Sequence, residues 1–410
     1  MSEAGIVIVG AGEAGARAAL ALRENGWTGA VTLIGDEPHP PYERPPLSKA
    51  VIVAAGELDP PTILDTARMR DNRIDFLPGA TVVRIDRGAH RLALADGRHL
   101  SYSQLLLATG SRARPLAIRG SQNLLYLRTY AEAIALRRRL QAGMRVGIIG
   151  GGFIGLELAA SATARGCEVT VIEMAPRVLM RGVPEEIATT IADRHRSAGV
   201  DLRTGVGING IEAQDHRQVI VTADGARIVC DEIIAGVGAV PETALAKDSG
   251  LDIENGIRVD GHLRTSDRDI FAAGDCCSFP HALYGDRRVR LEAWRNAQEQ
   301  GATAARNMLG AATAHEAVPS FWSDQYNVTL RIVGLPDTAV STVTRRLGDG
   351  ACLYFHLGAD GRLMAASGIG SDSMIAKEIR LAELLIARQR QPAPDELENP
   401  NVRLKSLLNS

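Results

Sequence analysis

Hydrophobic positions along the chain fall into one pattern that occurs twice. Residues 5–9, Gly-Ile-Val-Ile-Val, are apolar throughout, as expected of a strand covered on both faces inside a parallel sheet. A glycine turn begins at Gly10, and a stretch rich in Ala and Leu then predicts a helix ending near Asn25 and Gly26. Residues 30–34, Ala-Val-Thr-Leu-Ile, predict the next strand. The same succession restarts at Arg145, with an apolar strand into Gly150, an Ala-rich helix reaching Arg165 and Gly166, and a strand over 168–172. After each copy, alternation around an Asp-Gly pair (Asp96-Gly97, then Asp224-Gly225) predicts a β-hairpin. Each copy closes with an apolar strand that runs into glycine, at 105–110 and at 233–238. The chain therefore reads as two copies of one α/β plan.

The rest of the pattern is placed around these copies. The proline-rich residues 38–49 predict an extended, rigid path that holds a side chain such as Lys49 in place. A helix is expected to begin at about Arg290. From about Val318 a separate segment predicts strands over 329–333 and 352–356, a turn at 358–361 and a helix over 374–388, a small antiparallel sheet with helices. Residues 391–401 hold three prolines and several acids and predict a surface excursion. The expected division is a first domain over 1–112 and 236–315, interrupted by a second over 113–235, with a third over 316–410.

Composition changes this picture little. A chain of 410 residues with 45% apolar content and 42 glycines can build two or three real cores. Its 46 basic and 48 acidic residues give no net field for nucleic acid. The five cysteines show no CxxC spacing and the nine histidines no metal-ligand spacing, so no metal is expected and a reducing compartment is. Met1-Ser-Glu-Ala leads into the first strand without a basic stretch or a long apolar run, from which neither a leader nor a membrane span is expected, and a cytoplasmic location is.

The glycine turns carry the candidate chemistry. Gly150, Gly152 and Gly155 stand where a dinucleotide-binding βαβ unit needs a tight turn, close backbone approach to a pyrophosphate, and helix-on-strand packing. Glu173 lies 18 residues beyond Gly155, where a carboxylate can hydrogen-bond a ribose 2′-hydroxyl and repel a 2′-phosphate, which favours NADH over NADPH. Gly10, Gly12 and Gly15 form a second complete fingerprint, with Asp36 following 21 residues after Gly15. Two Rossmann-like dinucleotide-binding domains are expected, with helix N-terminal N–H groups on the phosphates.

The run from Pro38 to Lys49, the motif Asp269-Ile-Phe-Ala-Ala-Gly274-Asp275 and the segment from Arg290 through Trp294 to Gly301 resemble one family. It is that of the flavin-dependent NADH:ferredoxin reductases of bacterial oxygenase systems, the putidaredoxin and biphenyl dioxygenase reductase type, with a glutathione-reductase-like fold. Leu47-Ser48-Lys49 lacks the thiol that disulfide-using and peroxidase relatives bear in this region. The resemblance implies FAD held by Gly10, Gly12, Ala14, Gly15, Asp36, Arg44, Pro46, Lys49, Val82, Ala108, Thr109, Gly110, Arg128, Gly238, Gly274, Asp275, Glu292 and Trp294. It implies NADH on Gly150, Gly152, Phe153, Ile154, Gly155 and Glu173, with Trp322 near the flavin ring. Lys49 and Glu157 resemble a catalytic pair at the ring edge where hydride arrives, the cation favouring the anionic reduced flavin and the carboxylate holding it.

The implied acceptor is a [2Fe–2S] ferredoxin that feeds a cytochrome P450 or a Rieske-type oxygenase. Arg68, Arg70 and Arg73, or Arg287, Arg288 and Arg290, are candidates for a basic docking rim. Two other readings share both fingerprints: a flavin NADH oxidase, which would want a cysteine near position 48, and an NADH-responsive redox switch similar to apoptosis-inducing factor. The adjacent Cys276 and Cys277 receive no role.

Overall fold

The computed structural model describes residues 4–56, 58–180 and 182–409. Met1 to Glu3, on which the expectation of no leader partly rests, lie outside them. Among the described residues no helix is long and apolar enough to cross a membrane. The chain forms two compact units, one of residues 1–43, 59–112 and 240–319, the other of 44–58, 113–239 and 320–410. The expected borders at 235/236 and 315/316 stand beside observed ones at 239/240 and 319/320, and residues 44–58 and the C-terminal segment both pack in the second unit.

The first unit is organised on a five-stranded parallel sheet in the order Ile270–Ala272, Gln104–Leu107, Ile6–Val9, Val31–Ile34, Asp75–Leu77. All four residues of Ile6–Val9 are buried, as the unbroken apolar run requires. The helix Glu13–Glu24 buries an alanine-rich face, and the helix Trp294–Met308 packs on it so closely that a Cβ on Gly301 would fall 2.3 Å from the carbonyl oxygen of Ala14. Only small residues allow that approach. The expected hairpin is part of a three-stranded antiparallel meander, Val82–Asp86, Arg91–Leu94 and His99–Ser101.

The second unit repeats this plan with one strand fewer. Its parallel sheet runs Glu232–Ala235, Arg145–Ile149, Glu168–Glu173, Asp201–Thr204, the same order as four strands of the first. Its meander is Ile208–Gln214, Arg217–Thr222 and Arg227–Cys230. The C-terminal portion adds an antiparallel sheet in the order Ser320–Gln325, Val328–Gly334, Leu363–Gly370, Ala351–Leu357, Ser341–Gly348, covered by the helix Asp372–Ala387.

Three local expectations are corrected. The helix expected from Arg290 starts at Trp294, because residues 290–293 remain non-helical. The extended path of residues 38–49 ends in a 3₁₀ turn, Pro45–Ser48, since proline is tolerated in the first turn, where its missing N–H is not needed. The tail is docked rather than an excursion: Leu397, Leu404 and Leu407 are buried, and the guanidinium of Arg345 donates to the carbonyls of Glu396, Leu397 and Val402 at 2.6–3.1 Å.

Candidate active site

In the first unit the strand Ile6–Val9 delivers the glycine turn to the carboxyl edge of the sheet, where parallel sheets bind ligands. Gly10 has φ +113°, and a Cβ there would come within 2.1 Å of the carbonyl of Ala108. A Cβ on Gly15 would come within 1.9 Å of the carbonyl of Gly10, so both positions are closed to side chains. Gly12 is different: a Cβ added there would meet nothing within 4 Å. Glycine at that position leaves room outside the turn, the cradle a diphosphate needs, and the helix N–H groups that begin there have no side-chain cap. These residues fit the adenine-nucleotide half of FAD.

Other expected flavin residues of this unit lie around the same edge. Asp36 is exposed beyond the strand Val31–Ile34, whereas the neighbouring Glu37 accepts a 2.6 Å bond from the hydroxyl of Tyr42. The loop Ala108, Thr109, Gly110 carries a left-handed Gly110 (φ +68°), and the Thr109 hydroxyl donates to the carbonyl of Glu242 at 2.7 Å. Asp275, after the left-handed Gly274, accepts from Ser111 Oγ at 3.0 Å. Val82 packs half-buried at the start of its strand, Glu292 pairs with Arg290 at 2.5 Å, and Trp294 is the first residue of its helix. Both thiols of Cys276 and Cys277 are buried and pushed up by that burial; Cys277 Sγ lies 3.1 Å from Gln300 Oε1.

The second unit repeats the turn. Gly150 has φ +106° and a Cβ there would meet the carbonyl of Gly236 at 2.5 Å; one on Gly155 would meet that of Gly150 at 2.1 Å; one on Gly152 would meet nothing within 4 Å. Glu173 ends its strand with its carboxylate clamped by backbone N–H groups, Gly151 and Ala175, each at 2.7 Å. Those bonds fix the carboxylate beside the turn, and its remaining lone pairs suit ribose hydroxyls. Phe153 stacks at a tilt on Phe321 with ring centroids 4.2 Å apart, and Ile154 is exposed at the helix start. The residues present fit NADH.

Lys49 and Glu157 are brought together in this second unit. Lys49 Nζ lies 3.2 Å from Glu157 Oε1 and 3.7 Å from Asp324 Oδ2, with Glu157 buried and Asp324 exposed. Glu157 sits in the first half of the helix Phe153–Ala164, and two hydroxyls donate to it: Ser48 Oγ at 2.5 Å and Ser323 Oγ at 2.6 Å. Ser323 in turn accepts from Gln325 Nε2 at 3.1 Å; Gln325 Oε1 meets His195 Nε2 at 2.9 Å, and His195 Nδ1 meets the Tyr326 hydroxyl at 3.1 Å. Burial lowers the pKa of His195, so its ring is neutral, and this network assigns its proton to Nε2. Every donor in the series points toward the Glu157 carboxylate. The hydroxyl of Ser48 is thus engaged by Glu157.

Arg44 donates to the carbonyl of Arg128 at 2.6 Å, Pro46 lies in the 3₁₀ turn before Lys49, Gly238 is left-handed (φ +105°), and Trp322 is half-buried on the strand Ser320–Gln325. Of the candidate docking arginines, Arg288 and Arg290 are engaged by carbonyls and by Glu254 and Glu292, whereas Arg68, Arg70 and Arg73 are exposed around the buried Met69. Sequence reading missed Ser323, Gln325 and His195, which only the fold aligns. It also missed Glu13, whose signal was present: an acid placed between the second and third glycines of a phosphate-binding turn.

Two dinucleotide folds in tandem, each with an open phosphate cradle, and a clamped lysine–glutamate pair define an oxidoreductase that handles two nucleotide cofactors. Residues 4–301 match the pyridine nucleotide-disulphide oxidoreductase family and residues 320–408 the reductase C-terminal family, and the chain belongs to the former. It is 41% identical to the ferredoxin–NAD(+) reductase component of the anthranilate 1,2-dioxygenase system of Burkholderia cepacia, with 100% of both chains covered. It is 37% identical to putidaredoxin reductase of Pseudomonas putida over 98% of this chain and 96% of that one. The reductase in the crystal structure of a covalent putidaredoxin reductase–putidaredoxin complex superposes with a TM-score of 0.93 at 35% identity, covering 100% of this chain and 99% of that one. All five cysteines are free here.

Proposed function

We propose that this chain is an FAD-dependent reductase that passes electrons from NADH through flavin to a [2Fe–2S] ferredoxin, which supplies a cytochrome P450 or a Rieske-type oxygenase. The observation that carries this reading is Ser48: beside Lys49 the chain places a hydroxyl bonded to Glu157 and no thiol, so no sulfur stands ready to store the electrons. Bound FAD would supply acceptance of a hydride and release of its electrons one at a time. The protein's share is positional. The turn at Gly10, Gly12 and Gly15 would hold the flavin nucleotide, and the turn at Gly150, Gly152 and Gly155 the nicotinamide one. Lys49, held by Glu157, would place a cation at the flavin edge where negative charge builds up, and Glu173 would accept the ribose hydroxyls of NADH and repel the 2′-phosphate of NADPH. Free, unpaired thiols and a pyridine-nucleotide donor agree with a cytoplasmic location.

Stopped-flow reduction of the yellow protein without oxygen tests this reading. Bleaching by NADH and far slower bleaching by NADPH, with prompt reoxidation on adding a small [2Fe–2S] ferredoxin, is the expected result. Bleaching with no reoxidation by any such ferredoxin would replace the reductase with a redox switch.

A further inference from the structure

Glu13 is the first residue of the helix that follows the first glycine turn, and it carries an unusual combination of features. Its Oε1 accepts from Gln298 Nε2 at 3.2 Å, its Oε2 is buried, and the side chain of Trp294 also hydrogen-bonds the carboxylate. The helix Trp294–Met308 closes over it, contributing both Gln298 and Trp294. Arg17, the cation that acts on it, is held by Glu24 through two bonds of 2.7 and 2.8 Å. Glu43 adds like charge, and on the facing helix Arg295 and Glu299 pair with each other at 2.9 Å. Burial is the largest influence on Glu13 and pushes its acid up to about 7; Glu43 acts in the same direction, against Gln298, Trp294 and Arg17.

An ionised carboxylate in a turn that receives a diphosphate sets two anions against each other in a partly desolvated site. A neutral carboxylic acid has no such conflict and offers an O–H donor. The buried Oε2, which Gln298 does not reach, is the atom on which that proton would sit. We propose that Glu13 takes up a proton when the FAD diphosphate seats on the turn at residues 10–15, so that flavin binding by this chain is coupled to uptake of one proton. The proton comes from solvent to Oε2, no other bond forms or breaks, and the neutral acid then donates toward the bound diphosphate. This inference rests on reading the first turn as the FAD site.

Its consequence is that FAD is held tightly on the acid side of neutrality and progressively less tightly above it. Oxidised FAD has no group of its own that titrates near neutral pH, so the dependence belongs to the protein. The test is a titration of the full-length apoprotein with FAD, read by quenching of flavin fluorescence, between about pH 6 and about pH 8.5, with proton uptake measured in weak buffer near the alkaline end. The dissociation constant should be flat at the acid end and rise roughly tenfold per pH unit above about pH 7, with uptake of about one proton per FAD. Glu13→Gln, which keeps the shape and removes the charge, should bind as the wild type does in acid and show no slope. A wild-type constant that ignores pH, or a Glu13→Gln variant that keeps the slope, overturns the proposal while leaving the FAD reading intact. A chain that binds FAD at no pH overturns both.

Discussion

The ammonium of Lys49 has two carboxylates within reach, and only Glu157, the nearer, is buried. Ser48 and Ser323 donate to that carboxylate, so it keeps its orientation without the lysine, whereas among the described residues the other carboxylate beside the lysine is the exposed Asp324. The roles therefore separate: Lys49 supplies charge and Glu157 places it. Lys49→Met should slow single-turnover flavin reduction by NADH about a hundredfold, the scale of losing one group aimed at developing charge. Ser323→Ala removes one donor and leaves the ion pair, and should slow it by about tenfold, as loss of one hydrogen bond to a charged group does. Stopped-flow absorbance at saturating NADH measures both, and an unchanged rate in Lys49→Met removes the lysine from the mechanism. Lys49 and Glu157 were legible because each stands in a recognisable stretch. Ser323, Gln325 and His195 were not, because they meet across the helix Glu185–Ser197 and the strand Ser320–Gln325, which lie far apart in the chain.

At the level of the element, each glycine turn separates glycines required by the protein from a glycine required by the ligand. A Cβ at Gly155 would overlap the carbonyl of Gly150, while one at Gly152 would enter open space. Gly155→Ala should lower stability by at least 1–3 kcal/mol, the usual cost of forcing atoms into a packed site, and appear as a lower Tm. Gly152→Ala should leave Tm and flavin content unchanged and weaken NADH binding, because only a bound pyrophosphate comes close enough to meet the added methyl. Equal effects of the two changes, in a paired thermal melt and NADH titration, would show that this distinction is wrong. The elements themselves were largely readable: unbroken apolar runs marked the parallel strands, and Asp-Gly pairs marked the meanders. The docked tail was not, because prolines and acids suggested solvent while the feature that pins it, the buried Arg345, lies in the distant strand Ser341–Gly348. An arginine that caps three carbonyls leaves no periodic trace in the sequence.

The whole molecule carries a stability profile that no single segment reveals. Four histidines are buried: His281 and His315 in the first unit, His195 and His356 in the second. Burial lowers all four, His315 to about 3 and His356 to about 4. The sign follows from which state takes up protons. Below the ordinary histidine value of 6.5 the unfolded chain binds protons that the native rings refuse, so native stability is complete above that pH and is lost as pH falls toward the folded values. Each such histidine contributes a slope of up to about 1.4 kcal/mol per pH unit. Glu13 acts oppositely, because its raised acid lets the native state hold a proton the unfolded chain releases, but it is one group against four. Loss of stability should therefore begin between about pH 6.5 and about pH 5, above the range in which carboxylates titrate. His315 makes an edge-to-face contact with Phe279, and His315→Asn should lower Tm at neutral pH through lost packing while flattening the acid fall. Thermal melts of both proteins over that range decide the matter: parallel curves offset by a constant would assign His315 to packing alone and place the proton linkage elsewhere.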